Sequence, residues 1–252
     1  MKAITRIEHC LALAVASNEA PDCPPKLAAA ICHAVFPGGA RIRPQLCLAV
    51  ANACGNTDPE LADAAAVAIE LLHCASLVHD DLPCFDDAKT RRGRASVHFA
   101  YGECLAVLAG DALIVMAFDT LASAAGRSPT RLAPLLKIIA AGVGMPHGIV
   151  AGQAWESESR VSLSQYQRAK TGALFVAATC AGALSAGADP RDWQALGERL
   201  GEAYQIADDI RDVMGQADLL GKPVGQDVAL GRPSSASEHG LSGAIQHFDR
   251  LV

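Results

Sequence analysis

Two long, alanine-rich apolar runs each end in a cluster of aspartates, and this constrains the fold more than any other feature of the chain. The first cluster is Asp80-Asp81-Leu82-Pro83-Cys84-Phe85-Asp86-Asp87 and the second is Asp208-Asp209-Ile210-Arg211-Asp212. Such an apolar run reads as a buried helix. Carboxylates at the end of a buried helix need partners, because an unpaired anion is costly to desolvate. Hard divalent cations suit that role, and Mg²⁺ takes one or two carboxylates and completes its octahedron with water and phosphate oxygens. Two such clusters facing each other would cage a diphosphate.

The 252 residues are 51% hydrophobic, 19% charged and only 4% aromatic, which favours closely packed helices over a β-sandwich. A net charge of −6 argues against a nucleic-acid surface, which needs a basic face. The nine cysteines are odd in number, scattered, and form no C-x-x-C pair. Neither a zinc site nor a disulfide framework is expected, and a reducing cytoplasm fits. Thr171 to Ala188 is uncharged but built of Ala, Gly, Ser, Thr and Cys, a poor composition for a bilayer, so it reads as a core helix and no transmembrane segment is expected. The N-terminus runs straight into Glu8 and His9 without an apolar core, so no signal peptide is expected.

Helix starts recur. Asp58-Pro59-Glu60 places a capping Asp before a first-turn proline and opens the run to Asp80. Ser162-Leu163-Ser164-Gln165 has the form of a capping box ahead of Lys170. Asp189-Pro190 opens the run that reaches Asp212. Further helices are expected over 4–16, 25–36, 44–53, 103–125 and 129–142, and no convincing strand is found. Pro83 disrupts the helix after Asp80, so Asp86 must return through a bend. Asp208 and Asp212 stand i and i+4 on one helix face. The expected fold is an all-α bundle, one domain over residues 1–252.

Basic, glycine-flanked segments accompany the acidic ones: Gly38-Gly39-Ala40-Arg41-Ile42-Arg43-Pro44, Arg91-Arg92-Gly93, Gly221-Lys222-Pro223 and Gly231-Arg232-Pro233. Cations and glycine-loop amides are what a second diphosphate would need. With Leu108-Ala109-Gly110-Asp111-Ala112-Leu113, Ala151-Gly152-Gln153-Ala154, Lys170-Thr171-Gly172-Ala173 and Tyr204-Gln205-Ile206-Ala207-Asp208-Asp209, the chain resembles the trans-isoprenyl diphosphate synthases of the polyprenyl synthetase family. The likeness runs from about Pro24 to Arg232 and is greatest to the short-chain farnesyl and geranylgeranyl group.

The resemblance implies an isoprenoid-synthase-type bundle around a deep central cavity. It implies that Asp80 and Asp86 ligate two Mg²⁺ ions on the allylic diphosphate and that Asp208 holds a third. Asp81, Asp209 and Asp212 would orient metal-bound water. Arg91, Lys170, Thr171, Gln205 and Lys222 would grip the allylic diphosphate. Arg43, His73 and Arg92 would bind the diphosphate of isopentenyl diphosphate, and Arg232 stands where a lysine is common. A cytoplasmic homodimer is implied as well. The allylic C–O bond would ionise, the cation would be trapped by the double bond of isopentenyl diphosphate, and a proton would be lost to the departed diphosphate. Carbonyl dipoles near Lys170 and Thr171 would steady the cation.

Product length follows from residue size. Ala75 and Ser76 lie five and four residues before Asp80, about 6–7.5 Å deeper along the helix. An aromatic at Ala75 would floor the tunnel near a farnesyl tail, so small residues at 74, 75 and 76 predict a C20 geranylgeranyl product. Ala40 stands where the family usually has lysine, a lost contact of about 1.5–3 kcal/mol unless Arg41 or another residue substitutes. The chain is expected to be short at its C-terminus, stopping soon after a helix that begins near Leu241. Segment Ala151 to Glu158 resembles synthases feeding carotenoid and chlorophyll tails in photosynthetic bacteria. The alternatives are a farnesyl diphosphate synthase, a non-catalytic regulatory subunit, which predicts eroded aspartates, and a class I terpene cyclase, which needs no site for isopentenyl diphosphate.

Overall fold

Between Leu61 and Val78 nearly every side chain is apolar, and in the computed structural model this stretch is the core helix of its surroundings. The structure describes residues 2–17, 20, 22–36, 38–159, 162–214 and 235–251. The fold is all-α. Helices α1 (Ala3–Ser17), α2 (Pro25–Val35), α3 (Ile42–Ala53), α4 (Pro59–Asp80), α5 (Val97–Tyr101), α6 (Glu103–Ala124), α7 (Pro129–Val143), α8 (Ile149–Ala154), α9 (Leu163–Gln167), α10 (Ala173–Ser185), α11 (Gln194–Met214) and α12 (Ser235–Leu251) follow in chain order. The chain divides into two compact units, Met1–Lys137 with Ala181–Asp189, and Ile138–Cys180 with Pro190–Val252.

In the first unit α4 packs against α1, α2, α3 and α6. Its start is the expected one: Pro59 is the first helical residue, and the Asp58 carboxylate accepts from the amide of Leu61 at 3.2 Å. The same carboxylate accepts from the Ser128 hydroxyl at 2.7 Å, tying the start of α7 to the start of α4. Such a cap contributes about 1 kcal/mol. Helix α3 begins two residues before the expected position, at Ile42, with Pro44 in the first turn. There its missing N–H removes no intrahelical bond.

In the second unit α11 packs against α12 and against a π-helical turn, Arg168–Gly172, that joins α9 to α10. Ser162 caps α9 by accepting from the amide of Gln165 at 3.2 Å. Helix α12 is broken at Gly240, φ 69°, so a fresh helical run starts at residue 241.

One small element departs from the sequence reading. Thr90–Arg91 and Arg94–Ala95 form a two-residue antiparallel ladder, Thr90 opposite Ala95 and Arg91 opposite Arg94. Arg92 (φ 54°) and Gly93 (φ 75°) both lie in the left-handed region, the geometry of the tight hairpin turn that matches strand twist. Strands this short leave no alternation to detect.

Among the described residues two helices, α4 and α6, are long and apolar enough to cross a membrane. In α4, 78% of that apolar window is buried inside the protein, as befits a core helix; in α6 only 39% is. Val107, Leu108 and Val115 of α6 are exposed, as is Phe99 of α5. The uncharged stretch from Thr171 forms the end of the π-helical turn and then α10, which buries Leu174, Phe175, Ala178, Ala181 and Ala183.

Candidate active site

The first acidic segment folds as Pro83 requires. Helix α4 ends at Asp80 with Asp81 as its C-cap. The chain then turns back: the amide of Asp86 donates to the carbonyl of Asp80 at 3.0 Å, and the amide of Ala88 to that of Asp81 at 3.1 Å. Asp86 thus returns to the end of α4 through a bend. Asp81 is buried and receives Arg91, whose Nε donates to Oδ1 at 2.9 Å while Nη2 bonds the same oxygen. Arg91 Nη2 also lies 3.8 Å from Asp80 Oδ2. Burial raises the carboxyl pKa of Asp81, Arg91 pulls it back, and Asp80 and Asp86 push it up again. Asp81 is therefore first of all the anchor of Arg91.

The donor chemistry fits Mg²⁺. Asp80, at the end of α4, and Asp86, brought back beside it by the bend, present hard carboxylate oxygens. Such oxygens suit an ion that fills the rest of its shell with phosphate oxygens and water.

The three residues expected to hold isopentenyl diphosphate come together in the first unit. Arg43 Nη1 lies 3.4 Å from His73 Nε2. Gly39 lies against the Arg92 guanidinium: a Cβ there would fall 2.7 Å from Cζ and push that side chain aside. A small solvent-open recess is lined by His33, Cys74, Asp81, Arg91, Arg92 and Arg94, among others. Arg94 was not singled out from sequence; it is exposed and donates to the carbonyl of Phe36 at 3.1 Å.

Arg41 does not replace the lysine missing at Ala40. Its side chain is turned inward, donating to Glu8 Oε1 at 2.8 Å, Glu70 Oε1 at 2.6 Å and the carbonyl of Val35 at 2.8 Å.

Burial holds the His73 imidazole well below its usual pKa, and Arg43, Arg92, Arg91 and Arg41 push it the same way. Below the unfolded value of about 6.5, the unfolded chain takes up a proton that the folded chain refuses. Stability from this site is thus lost as pH falls through that value, with a limiting slope of about 1.4 kcal/mol per pH unit. His73→Asn is expected to flatten the pH dependence of urea unfolding between about pH 7.5 and pH 5.5; parallel profiles for variant and parent would contradict the assignment.

In the second unit a hydrogen-bonded chain links the residues of the second motif. Thr171 Oγ1 donates to Gln205 Oε1, and Gln205 Nε2 donates to Asp209 Oδ1 at 2.7 Å. Gln167 Nε2 donates to Asp209 Oδ2 at 2.8 Å. Asp209 is buried, whereas Asp208 is half-buried. Lys170, inside the π-helical turn, meets Glu156, which also accepts from Tyr166 Oη at 2.7 Å and Gln153 Nε2 at 3.1 Å. The sequence singles out Glu156 only through the likeness of its segment to relatives, not through any spacing that announces these contacts.

Ala75 is buried, and the hydroxyl of Ser76 donates to the carbonyl of His73 at 2.8 Å. Lys222 and Arg232 lie outside the described residues, as do residues 215–234 as a whole.

Residues 24–248 match the family described as Polyprenyl synthetase. A geranylgeranyl diphosphate synthase of Cereibacter sphaeroides is 58% identical over 247 residues, 98% of this chain and 86% of that protein. One of Rhodobacter capsulatus is 52% identical over the same shares. Among solved structures, a geranyltransferase of Helicobacter pylori complexed with magnesium and isoprenyl diphosphate is 30% identical, with a TM-score of 0.84, covering 99% of this chain and 86% of that one.

Proposed function

The chain belongs to the polyprenyl synthetase family and is a trans-prenyltransferase, and we propose that it condenses an allylic diphosphate with isopentenyl diphosphate to give geranylgeranyl diphosphate. The observation that carries the product is the run of small side chains Cys74-Ala75-Ser76 on α4 just before Asp80. The likeness to two geranylgeranyl diphosphate synthases supports it.

In this reading Asp80, Asp86 and Asp208 would hold Mg²⁺, three ions in all; the Helicobacter pylori relative is complexed with magnesium. When bound, the metal supplies Lewis-acid neutralisation of the charge that develops on the leaving diphosphate. Arg91, Lys170 and Lys222 add fixed cations to the same oxygens, where they count most as the allylic C–O bond breaks. Thr171 and Gln205, already bonded to each other, would grip the allylic diphosphate, and carbonyl dipoles near Lys170 and Thr171 would steady the carbon that becomes cationic. Arg43, Arg92 and the neutral imidazole of His73 hold the second diphosphate, with Arg232 as a further cation, so that the double bond of isopentenyl diphosphate lies close and aligned. The new C–C bond forms from that double bond, and the proton lost next is taken by the departed diphosphate. No side chain needs to act as base.

The protein is proposed to act in the cytoplasm as a homodimer, without nucleic acid, a second copy covering the exposed apolar residues Val107, Leu108 and Val115 of α6. The test of function is incubation of purified protein with Mg²⁺, farnesyl diphosphate and labelled isopentenyl diphosphate. A C20 diphosphate supports the reading; a cyclic hydrocarbon, or farnesyl diphosphate left unextended or extended only with a partner chain's help, overturns it.

Product length has its own test. Ala75→Tyr is expected to shift the main product from C20 to C15 by chromatography of the dephosphorylated alcohols. Because Ala75 is buried, a tyrosine there overpacks by about 1–3 kcal/mol, so Ser76→Phe, at a half-buried position, is the companion variant. An unchanged C20 profile in both would overturn the tunnel argument.

A further inference from the structure

We propose that Glu156 is a positioning residue for the allylic half of the reaction: it sets where the Lys170 ammonium stands, and acts on the diphosphate only through that lysine. The inference rests on the prenyltransferase reading of Lys170 given above. Three donors from three different stretches converge on this one carboxylate. Gln153 comes from α8, Tyr166 from α9 and Lys170 from the π-helical turn. Gln153 takes Oε2, leaving Oε1 to Tyr166 and Lys170, so both oxygens are fixed and the carboxylate cannot swing. The Glu156 side chain is 14% exposed and that of Lys170 20%, so the pair is largely shielded from water, where such contacts are strongest.

The backbone is built to make this contact. A Cβ on Gly152 would fall 2.3 Å from the amide nitrogen of Lys170 and 2.4 Å from its Cα. Only glycine there lets α8 touch the turn that carries the lysine, and the 3₁₀ segment Trp155–Ser157 then brings Glu156 to its tip. The π-helical turn itself inserts one residue into the register, a distortion that recurs at functional sites because it re-aims side chains. A flexible lysine has some 2 kcal/mol of rotamer freedom to lose on reaching a phosphate. A carboxylate held by Tyr166 and Gln153 confines that search beforehand. Tyr166 also places its ring 5.7 Å from the ammonium, a second wall of the same holder.

The test is a double-mutant cycle on the full chain with both substrates varied. Glu156→Gln is expected to lower kcat/KM for the allylic diphosphate by about ten- to a hundredfold, the size of one charge-assisted bond. KM for isopentenyl diphosphate should stay within about twofold. In a Lys170→Met background Glu156→Gln should add nothing, and Glu156→Asp with an intact lysine should recover part of the loss. Equal damage to both substrates, full additivity with Lys170→Met, or parent-like kinetics of Glu156→Gln would overturn the proposal. If Glu156→Gln folds poorly by thermal melting, Tyr166→Phe carries the same cycle, with the same allylic-selective and non-additive loss expected. A parent protein that turns over neither substrate would instead sink the prenyltransferase reading.

Discussion

Asp80→Ala and Asp208→Ala are each expected to lower prenyl transfer by at least about a thousandfold while leaving the protein folded. A carboxylate that fixes a divalent ion on a leaving diphosphate is worth several kcal/mol in the transition state, and each 1.36 kcal/mol is about tenfold in rate. The stability side has the opposite sign for Asp80. It is the last residue of α4, where the helix dipole makes a negative charge unfavourable by about 0.3–1 kcal/mol. The long contact with Arg91, 3.8 Å, works the other way, so metal-free Asp80→Ala should melt within a few degrees of the parent while losing activity, a separation of stability from activity that a structural carboxylate would not show. Asp81→Ala should behave differently, because it strands the buried end of the Arg91 guanidinium and lowers the melting temperature. Steady-state kinetics at saturating Mg²⁺ and thermal melting without it give both readouts. Activity within tenfold of the parent for either Asp80→Ala or Asp208→Ala would sink the metal assignment.

Much of this was legible because the sequence features were local or periodic. The Asp58 cap, the Ser162 cap, the stop at Pro83 and the largely apolar α4 follow from rules that act within a turn or two. The grouping of Arg43, His73 and Arg92 came from family likeness, and the structure brings the three together through the Gly39 contact with Arg92. What was not legible depends on which way a side chain turns. Arg91 and Arg92 are neighbours, yet one is bound to Asp81 and the other lies against Gly39; a hairpin two residues long decides this, and no periodicity announces it. Glu156 is one more glutamate in a polar stretch until α8, α9 and the π-helical turn deliver three donors to it. The π-helical turn had no signal, since its composition is that of ordinary helix.

Arg41 shows the same limit with the largest consequence for stability. In a glycine-flanked basic loop it read as a spare cation for substrate, yet its side chain is fully buried against Glu70, itself the only charged residue in the interior of the Ala-rich stretch of α4. Each supplies the partner that the other's burial demands. Arg41→Met should leave Glu70 as an uncompensated buried anion and lower stability by about 3–5 kcal/mol, a fall of about 6–20 °C in melting temperature for a chain of this size. Arg41→Lys should recover little, because one ammonium cannot span Glu8, Glu70 and the Val35 carbonyl as a planar fork does. Adding Glu70→Gln or Glu70→Met to Arg41→Met should restore a large part of the loss, since no charge is then left buried. The loss also reaches the substrate side. Arg41 is the N-cap of α3 with a left-handed backbone, φ 49°, a conformation held against its own strain of about 1–3 kcal/mol, and Arg43 is the second residue of that helix. Releasing the side chain lets the loop relax and moves Arg43 away from His73. In the restored double variant, KM for isopentenyl diphosphate should therefore remain raised while KM for the allylic diphosphate does not. A melting temperature for Arg41→Met within about 2 °C of the parent would show that Glu70 finds another partner and that the loop is not held this way.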